Sequence, residues 1–344
     1  MPTATGLDAQ LMFGSEGTWA NAVTPDHTVE FNSETLVYSP GFIEPTGLRV
    51  GTLFKRASRV RVARQTVTGD VMLELPTKGI GLLVKQMLGS ALTTPVQIGT
   101  TTAYKQIHTT GGLYGLGMTV QVGRPEPGTG TVRAFTYSGC KCTGWEVNVK
   151  DNATPTIKIT LDGKAATTAT ALATASYLTG STVYDFSQAT LKLGGTATTA
   201  SGETTIAGGI AMSTIVTDFT LTGANPMDIT RYGLGNAGQK AQQLQNANPT
   251  IIGKLAAEFG KTELYDVFAA NTTVCMQMDL TGGVVGSSGN NFLVSLIMPA
   301  VKLKTAPPNV SGPGVVQMSS TFEVYSDEVN PVLQIKIVSD ETVL

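Results

Sequence analysis

With 344 residues, the chain has room for about two domains, each able to bury a core of its own. Charged residues make up 14%, against about 25% in ordinary soluble domains. Gly, Thr, Ser, Asn and Gln must therefore fill the surface, which suits faces covered by further copies or the exterior of a Thr-rich β-protein. A net charge of −2 excludes bulk electrostatic attraction to nucleic acid.

The opening segment, Met1–Gln10, lacks a basic stretch followed by an apolar one, and nowhere do 18 apolar residues run together. Neither a usual secretion signal nor a membrane span is indicated. Short alternating runs bounded by Gly, Pro, Asn and Asp then predict antiparallel strands at Glu34–Tyr38, Thr66–Leu75, Trp145–Val149, Thr156–Leu161, Val274–Leu280, Phe292–Met298 and Leu333–Val338. Two segments read as helices. One follows Thr77 as N-cap, carries Ile80, Leu83, Val84, Met87 and Leu88 on one face, and stops at Gly89. The other follows Thr262, carries Leu264, Val267 and Phe268, and stops before Asn271.

These elements repeat. At an offset of 184 residues Gly69 meets Gly253, Glu74 meets Glu258, Ile80 meets Leu264, Leu83 meets Val267 and Val84 meets Phe268. A further match at an offset of 176 sets Pro155, Ile157, Ile159 and Leu161 against Pro331, Leu333, Ile335 and Ile337. The reading is a duplication, with domains at 1–163 and 181–344. Between them Lys164–Gly180, rich in Ala and Thr, is a linker or a poorly fixed strand edge.

In each unit one strand face is apolar: Val67, Gly69, Val71, Leu73 and Leu75, then Ile251, Gly253, Leu255, Ala257 and Phe259. The opposite faces carry Thr66, Thr68, Asp70 and Glu74, then Thr250, Lys254 and Glu258. A one-residue register slip would exchange the faces. Both halves also hold a long segment, Pro40–Arg64 and Ala224–Asn248, of a length that usually signals function. The first is basic, through Arg49, Lys55, Arg56, Arg59, Arg61 and Arg64. The second has Arg231, Tyr232 and Lys240 but runs mostly to Gln and Asn. Without interleaved aromatics these read as arms contacting a neighbouring subunit rather than as a nucleic-acid site.

Catalytic chemistry finds no foothold. His27 and His108 stand apart from ligand or triad partners, and Cys140-x-Cys142 lacks a second pair for zinc. Three cysteines in this spacing cannot all pair, which points to a reducing folding compartment and to buried small-residue use. Gly115-Leu116-Gly117 and Gly282-Gly283 read as turns rather than phosphate loops. No enzyme activity, cofactor or metal is expected. A host-surface or carbohydrate-binding sandwich is the alternative, for which only Trp19 and Trp145 are available as large platforms.

Taken in order, Gly14-Ser15-Glu16-Gly17-Thr18-Trp19, Glu34-Thr35-Leu36 with its arm, Thr66-Val67-Thr68-Gly69, Tyr137-Ser138-Gly139-Cys140, Arg231-Tyr232-Gly233-Leu234-Gly235, Glu263-Leu264-Tyr265-Asp266 and Pro308–Gly314 resemble the long, duplicated form of the tail tube proteins of long-tailed bacteriophages. The resemblance implies two packed antiparallel sheets with a flanking helix, and one sheet of each domain joining its neighbours into a continuous barrel. Rings of six domains would stack into a tube for genome passage. Three chains would then make a pseudo-sixfold ring, or six if each chain is one wall segment. The strand faces with Asp70, Glu74, Lys254 and Glu258 are the candidates for the bore. Expected partners are further copies, the tape measure, terminator and distal tail proteins, and DNA passing without sequence-specific contact. The setting is the virion tail, assembled in the host bacterial cytoplasm.

Overall fold

The computed structural model describes residues 5–91, 94–310 and 312–344. Residues 1–4 of the opening segment, and Ser311 within Pro308–Gly314, lie outside the described residues. Alternation dominates, and the architecture is mainly β. The principal elements of the first half are β1 (Gln10–Ser15), β2 (Val37–Ile43), β3 (Arg61–Glu74), α1 (Gly81–Leu88), β4 (Tyr104–Thr110), β5 (Met118–Pro125), β6 (Val132–Lys150), β7 (Thr156–Gly163) and β8 (Ala165–Thr167). The second half holds β9 (Ala189–Leu193), β10 (Val216–Ala224), β11 (Thr250–Glu258), α2 (Glu263–Ala269), β12 (Val274–Val284), β13 (Asn291–Thr305), β14 (Gln317–Val324) and β15 (Gln334–Ser339).

One long antiparallel sheet runs β2–β3–β7–β6–β10–β11–β14–β13. β6 and β13 are long enough to leave it, and their first halves build the second layer. There β6 pairs with β5 and β8, and β13 pairs with β12 and β15. β1 borders β5 and β9 borders β12. Followed strand by strand, these pairings never return to their starting point, so the long sheet is open, ending at β2 and at β13. Val67, Val71 and Leu73 of β3, with Ile251 and Leu255 of β11, share one core with Leu11, Val120, Met276 and Leu296 of the second layer. Apolar faces meeting across two sheets give the sandwich its cohesion.

The pairing pattern recurs between the halves, and it corrects one alignment read from sequence. β7 borders both β3 and β6, and the strand that borders both β11 and β13 is β14. β15 instead lies on β13 and β4. The match of Pro155–Leu161 with Pro331–Ile337 therefore joins strands in different positions. Both are buried alternating runs after a proline, and alternation alone does not say which neighbour a strand takes. β4, inserted after α1, has no counterpart after α2 among the described residues and ties the first half to β15 of the second.

Both helices form where the apolar spacing puts them. Gly89, at φ +92°, closes α1 by donating its N–H to the Lys85 carbonyl. Thr77 is not the N-cap of α1. Ile80 occupies that position without a side-chain bond, while Thr77 accepts from the Thr182 amide at 3.1 Å. Gly282 and Gly283 lie within the end of β12, where a bulge between Thr281 and Val284 absorbs them, and do not form a turn. The Ala/Thr-rich stretch is held: its first residues form β8, and Gln121 bonds both Ala171 and Ala173 beyond it.

Candidate assembly surfaces

Burial decides the faces. Val67, Val71, Leu73 and Leu75 are almost wholly inaccessible, as are Leu255 and Ala257, so Thr66, Thr68, Asp70, Glu74, Thr250, Lys254 and Glu258 all lie on the open side of the long sheet. Cross-strand register carries that side from β3 to β14, through Asp70 opposite Thr160, Asn148 opposite Thr220 and Lys254 opposite Thr321. Several of its charges are paired or knitted to hydroxyls. Lys158 Nζ sits 2.9 Å from Asp70 Oδ2, and Thr160 donates to Asp70 Oδ1 at 2.7 Å. Burial alone would raise the Asp70 carboxyl, but these two bonds outweigh it and hold the group below its ordinary range. Lys304 lies 3.2 Å from Glu323 in the same way. Acids (Asp70, Glu74, Glu146, Asp218, Glu258, Glu323) outnumber lysines (Lys150, Lys158, Lys254, Lys302, Lys304) on this face.

Glycine sets how closely the strands approach. Gly69 has φ +155°, and a Cβ there would stand 2.5 Å from the Thr35 carbonyl oxygen of the edge segment. Its repeat partner Gly253 would place a Cβ 2.0 Å from the Phe322 ring. The 184-residue match thus marks two sites of close approach.

The two ends of the long sheet are treated differently. At the β2 end the Leu36 amide donates to Glu34 Oε2 at 2.9 Å, while its carbonyl accepts from Arg124 Nη2 at 2.6 Å and Tyr137 Oη at 3.1 Å. Arg124 is locked by Glu34 at 2.9 Å and lies over the Phe135 ring. At the other end β13 runs into Pro307 and Pro308, which carry no N–H. Side-chain capping and proline both restrain unregulated pairing at an edge. Sequence reading missed both devices. The consecutive prolines were the available signal, whereas the Glu34–Arg124 pair, 90 residues apart, left none.

The two long segments diverge. The first continues β2 and β3 outward as a ribbon, with Phe42 opposite Val62 and Ile43 opposite Arg61. Its tip holds Leu48, Val50, Leu53 and Phe54 at 81–102% exposure. Arg49, Lys55 and Arg61 are exposed there too; Lys55 pairs with Glu44, Arg61 bonds the Ser58 and Val60 carbonyls, and Arg59 packs on Gly47. Arg56 and Arg59 are half-buried. The basic residues drew attention in the sequence; the apolar ones, scattered without strand alternation between Pro and Gly, are the larger anomaly.

The second segment folds back on the first half. Tyr232 donates to the Gln65 carbonyl at 2.7 Å and lies under Arg64, Arg231 bonds the Gln242 carbonyl, and Lys240 is buried against Asp162 at 2.6 Å. Within one chain, Arg64 and Tyr232 thus join the two long segments, while Arg231 braces the second internally and Lys240 fastens it to β7.

Most residues considered for chemistry serve the interior, but His27 is not isolated: its Nδ1 lies 2.6 Å from Asp26 Oδ1. Cys140, Cys142 and Cys275 are free and buried, and burial pushes the Cys142 thiol up to about 12. Trp145 is buried, and Trp19 donates to the Gly139 carbonyl. Glu16, from the opening motif, is buried and accepts from the Ala20 and Gly139 amides and from Thr119. Among the described residues no group of three or more His, Cys, Asp or Glu could hold a metal ion, and no helix is long and apolar enough to cross a membrane.

A family model described as phage tail tube protein matches residues 6–326, nearly the whole chain. The chain belongs to the phage tail tube protein family. No curated protein matches it. This family places the chain among the structural components of a phage tail.

Proposed function

We propose that this tail tube protein assembles into rings that stack into a hollow conduit through which the genome passes into the host cell. The single observation that carries the reading is the long sheet, which buries one face, leaves the other polar and partly charge-paired, and ends in two edges. Joined edge to edge, such sheets close a barrel whose open faces line the bore. Thr66, Thr68, Asp70, Glu74, Thr250, Lys254 and Glu258 are then lumen residues. Phosphate slides along such a wall because acids outnumber lysines on it and the dense basic patches that release counterions are missing.

The recurring strand pairing supports two tandem units, 1–163 and 181–344, joined through 164–180. On that basis three chains complete a pseudo-sixfold ring; six would be needed if the two units formed one wall segment. The Pro40–Arg64 ribbon, carrying Arg49, Lys55, Arg56, Arg59 and Arg61 beside its apolar tip, reaches an adjacent chain or the next ring. Tape measure, terminator and distal tail proteins are the other partners, and assembly takes place in the host cytoplasm. Negative-stain microscopy of concentrated, purified subunits tests the reading. Rings or tubes with an open centre are expected, whereas monomers under every condition, even with a nucleating tail complex, overturn it.

A further inference from the structure

We propose that residues 305–310 of one copy pair antiparallel with residues 34–39 of the next, in the register that β6 and β10 already use within a single chain. This inference rests on the tube reading for its second copy, and it adds which edges meet, in what register, and which contacts select it.

The register follows from shared neighbours. In the first half Gly144 of β6 lies opposite Thr160, which lies opposite Asp70. In the second half Thr305 lies opposite Thr321, which lies opposite Lys254. A bulge falls at the same place in both strands, between Cys142 and Gly144 and between Leu303 and Thr305. Beyond it Pro308 faces Met318 and Asn309 faces Gln317, as Val147 faces Ile157 and Asn148 faces Thr156. Residues 305–309 therefore occupy the places of 144–148. At the other end Val37 faces Thr68 as Thr222 faces Ile252, and Glu34 faces Val71 as Phe219 faces Leu255, so 34–39 occupy the places of 219–224.

Within the chain Gly144 pairs with Ala224, Trp145 with Gly223, Glu146 with Thr222 and Val147 with Leu221. Transferred between copies, Thr305 pairs with Ser39, Ala306 with Tyr38, Pro307 with Val37 and Pro308 with Leu36. Two independent features favour this register. The first is size: a Cβ on Gly223 would stand 2.1 Å from the Trp145 indole, so that rung is large against nothing. The transferred rung is Ala306 against Tyr38, again one large ring and one small residue with the roles exchanged.

The second is hydrogen bonding. Thr35 donates to the Asp70 carbonyl inside the sheet, so the Leu36 amide and carbonyl point outward by strand alternation. That carbonyl already accepts from Arg124 and Tyr137, and the residue opposite it, Pro308, has no N–H to offer. The missing donor meets the acceptor that does not need one. A two-residue slip would set Pro308 against Tyr38 or Glu34 and leave a carbonyl without a donor, at the cost of an unmade buried bond.

Disulfide trapping tests the register. Thr305→Cys with Ser39→Cys places thiols at a directly opposed rung on the exposed face, and the three native cysteines are buried. After assembly and oxidation, denaturing non-reducing gels are expected to show covalent multimers, about tenfold more than for the slipped pair Thr305→Cys with Val37→Cys. Tubes that cross-link equally in both pairs, or in neither, overturn the pairing and leave the tube reading standing. Hydrogen exchange on the unaltered chain decides the matter if the cysteine variants do not assemble. Segments 34–39 and 305–310 are expected to exchange about tenfold more slowly in tubes than in free subunits. Equal rates overturn the pairing, and an unaltered chain that never assembles removes both the pairing and the tube reading.

Discussion

Lys240 Nζ lies 2.6 Å from Asp162 Oδ1 with both side chains almost inaccessible, so the long segment of the second half is fastened to the end of β7 in the first. Burial pushes the Asp162 carboxyl up, against the bonds it receives from Lys240 and Gln243. Lys240→Met therefore leaves a buried carboxylate without its cation, and a loss of about 3–5 kcal/mol is expected. Urea unfolding of the subunit checks this. The double variant Lys240→Met with Asp162→Leu is expected to recover part of the loss, because neither charge is then left stranded.

Acid sensitivity should run through His108. Burial, with Lys85 nearby, holds it down to about 4 from an ordinary value of 6.5. The unfolded chain takes up this proton near pH 6.5 and the folded chain only near 4, so the unfolded state binds more protons between those values. Stability from this residue is complete above pH 6.5 and falls by up to about 3 kcal/mol as pH drops to 4. The difference between unfolding free energies of the parent chain and His108→Leu, followed from pH 7 to 4, should trace that slope. A flat difference refutes it.

The glycine pair should respond unequally. Gly69→Ala drives a Cβ into the backbone of Thr35 and Leu36, and Gly253→Ala drives one into the Phe322 ring. Each is expected to cost roughly 1–3 kcal/mol. Adding Phe322→Leu should recover stability for Gly253→Ala, because a side chain can yield. No neighbouring side-chain change should rescue Gly69→Ala.

The ribbon tip separates folding from assembly. Leu53→Ser with Phe54→Ser removes apolar surface already in solvent, so the melting temperature of the subunit should stay within about 2 °C. Tube formation should fall sharply, since large exposed apolar patches mark interaction sites. Sedimentation and microscopy of the same samples give both readings.

Charge on the open face should govern DNA passage. Glu74→Lys, Glu146→Lys and Glu258→Lys together turn a face on which acids predominate into a basic one. Tubes of this variant are expected to retain duplex DNA at low salt and release it as salt rises, with a slope set by the phosphates neutralised. Parent tubes should retain none under the same conditions, as measured by co-sedimentation.

Much was written in the sequence because it follows from local periodicity. Alternation at Val67–Leu75 and Ile251–Ala257 sorted core face from open face, and the burial of Val67, Val71 and Leu255 follows that sorting. Apolar spacing and Gly89 placed the helices. Neighbour choice was not local. Pro155–Leu161 and Pro331–Ile337 carry the same alternating pattern, yet one borders β3 and the other β4.

The sequence by itself determined part of the strands, among them β3 and β7, the core-facing side of Val67–Leu75 and Ile251–Ala257, and the helices α1 and α2, whereas β1, β4, β5, β10 and β14 lay outside the alternating runs it showed. Those properties depend on residues two to four positions apart. Only the tertiary structure decided that Glu34 and Arg124 close the Leu36 edge, that Lys240 belongs to the interior with Asp162, and that one arm folds back while the other projects. Each joins groups tens of residues apart, and such a contact exists only after strand order has brought the two stretches of chain together.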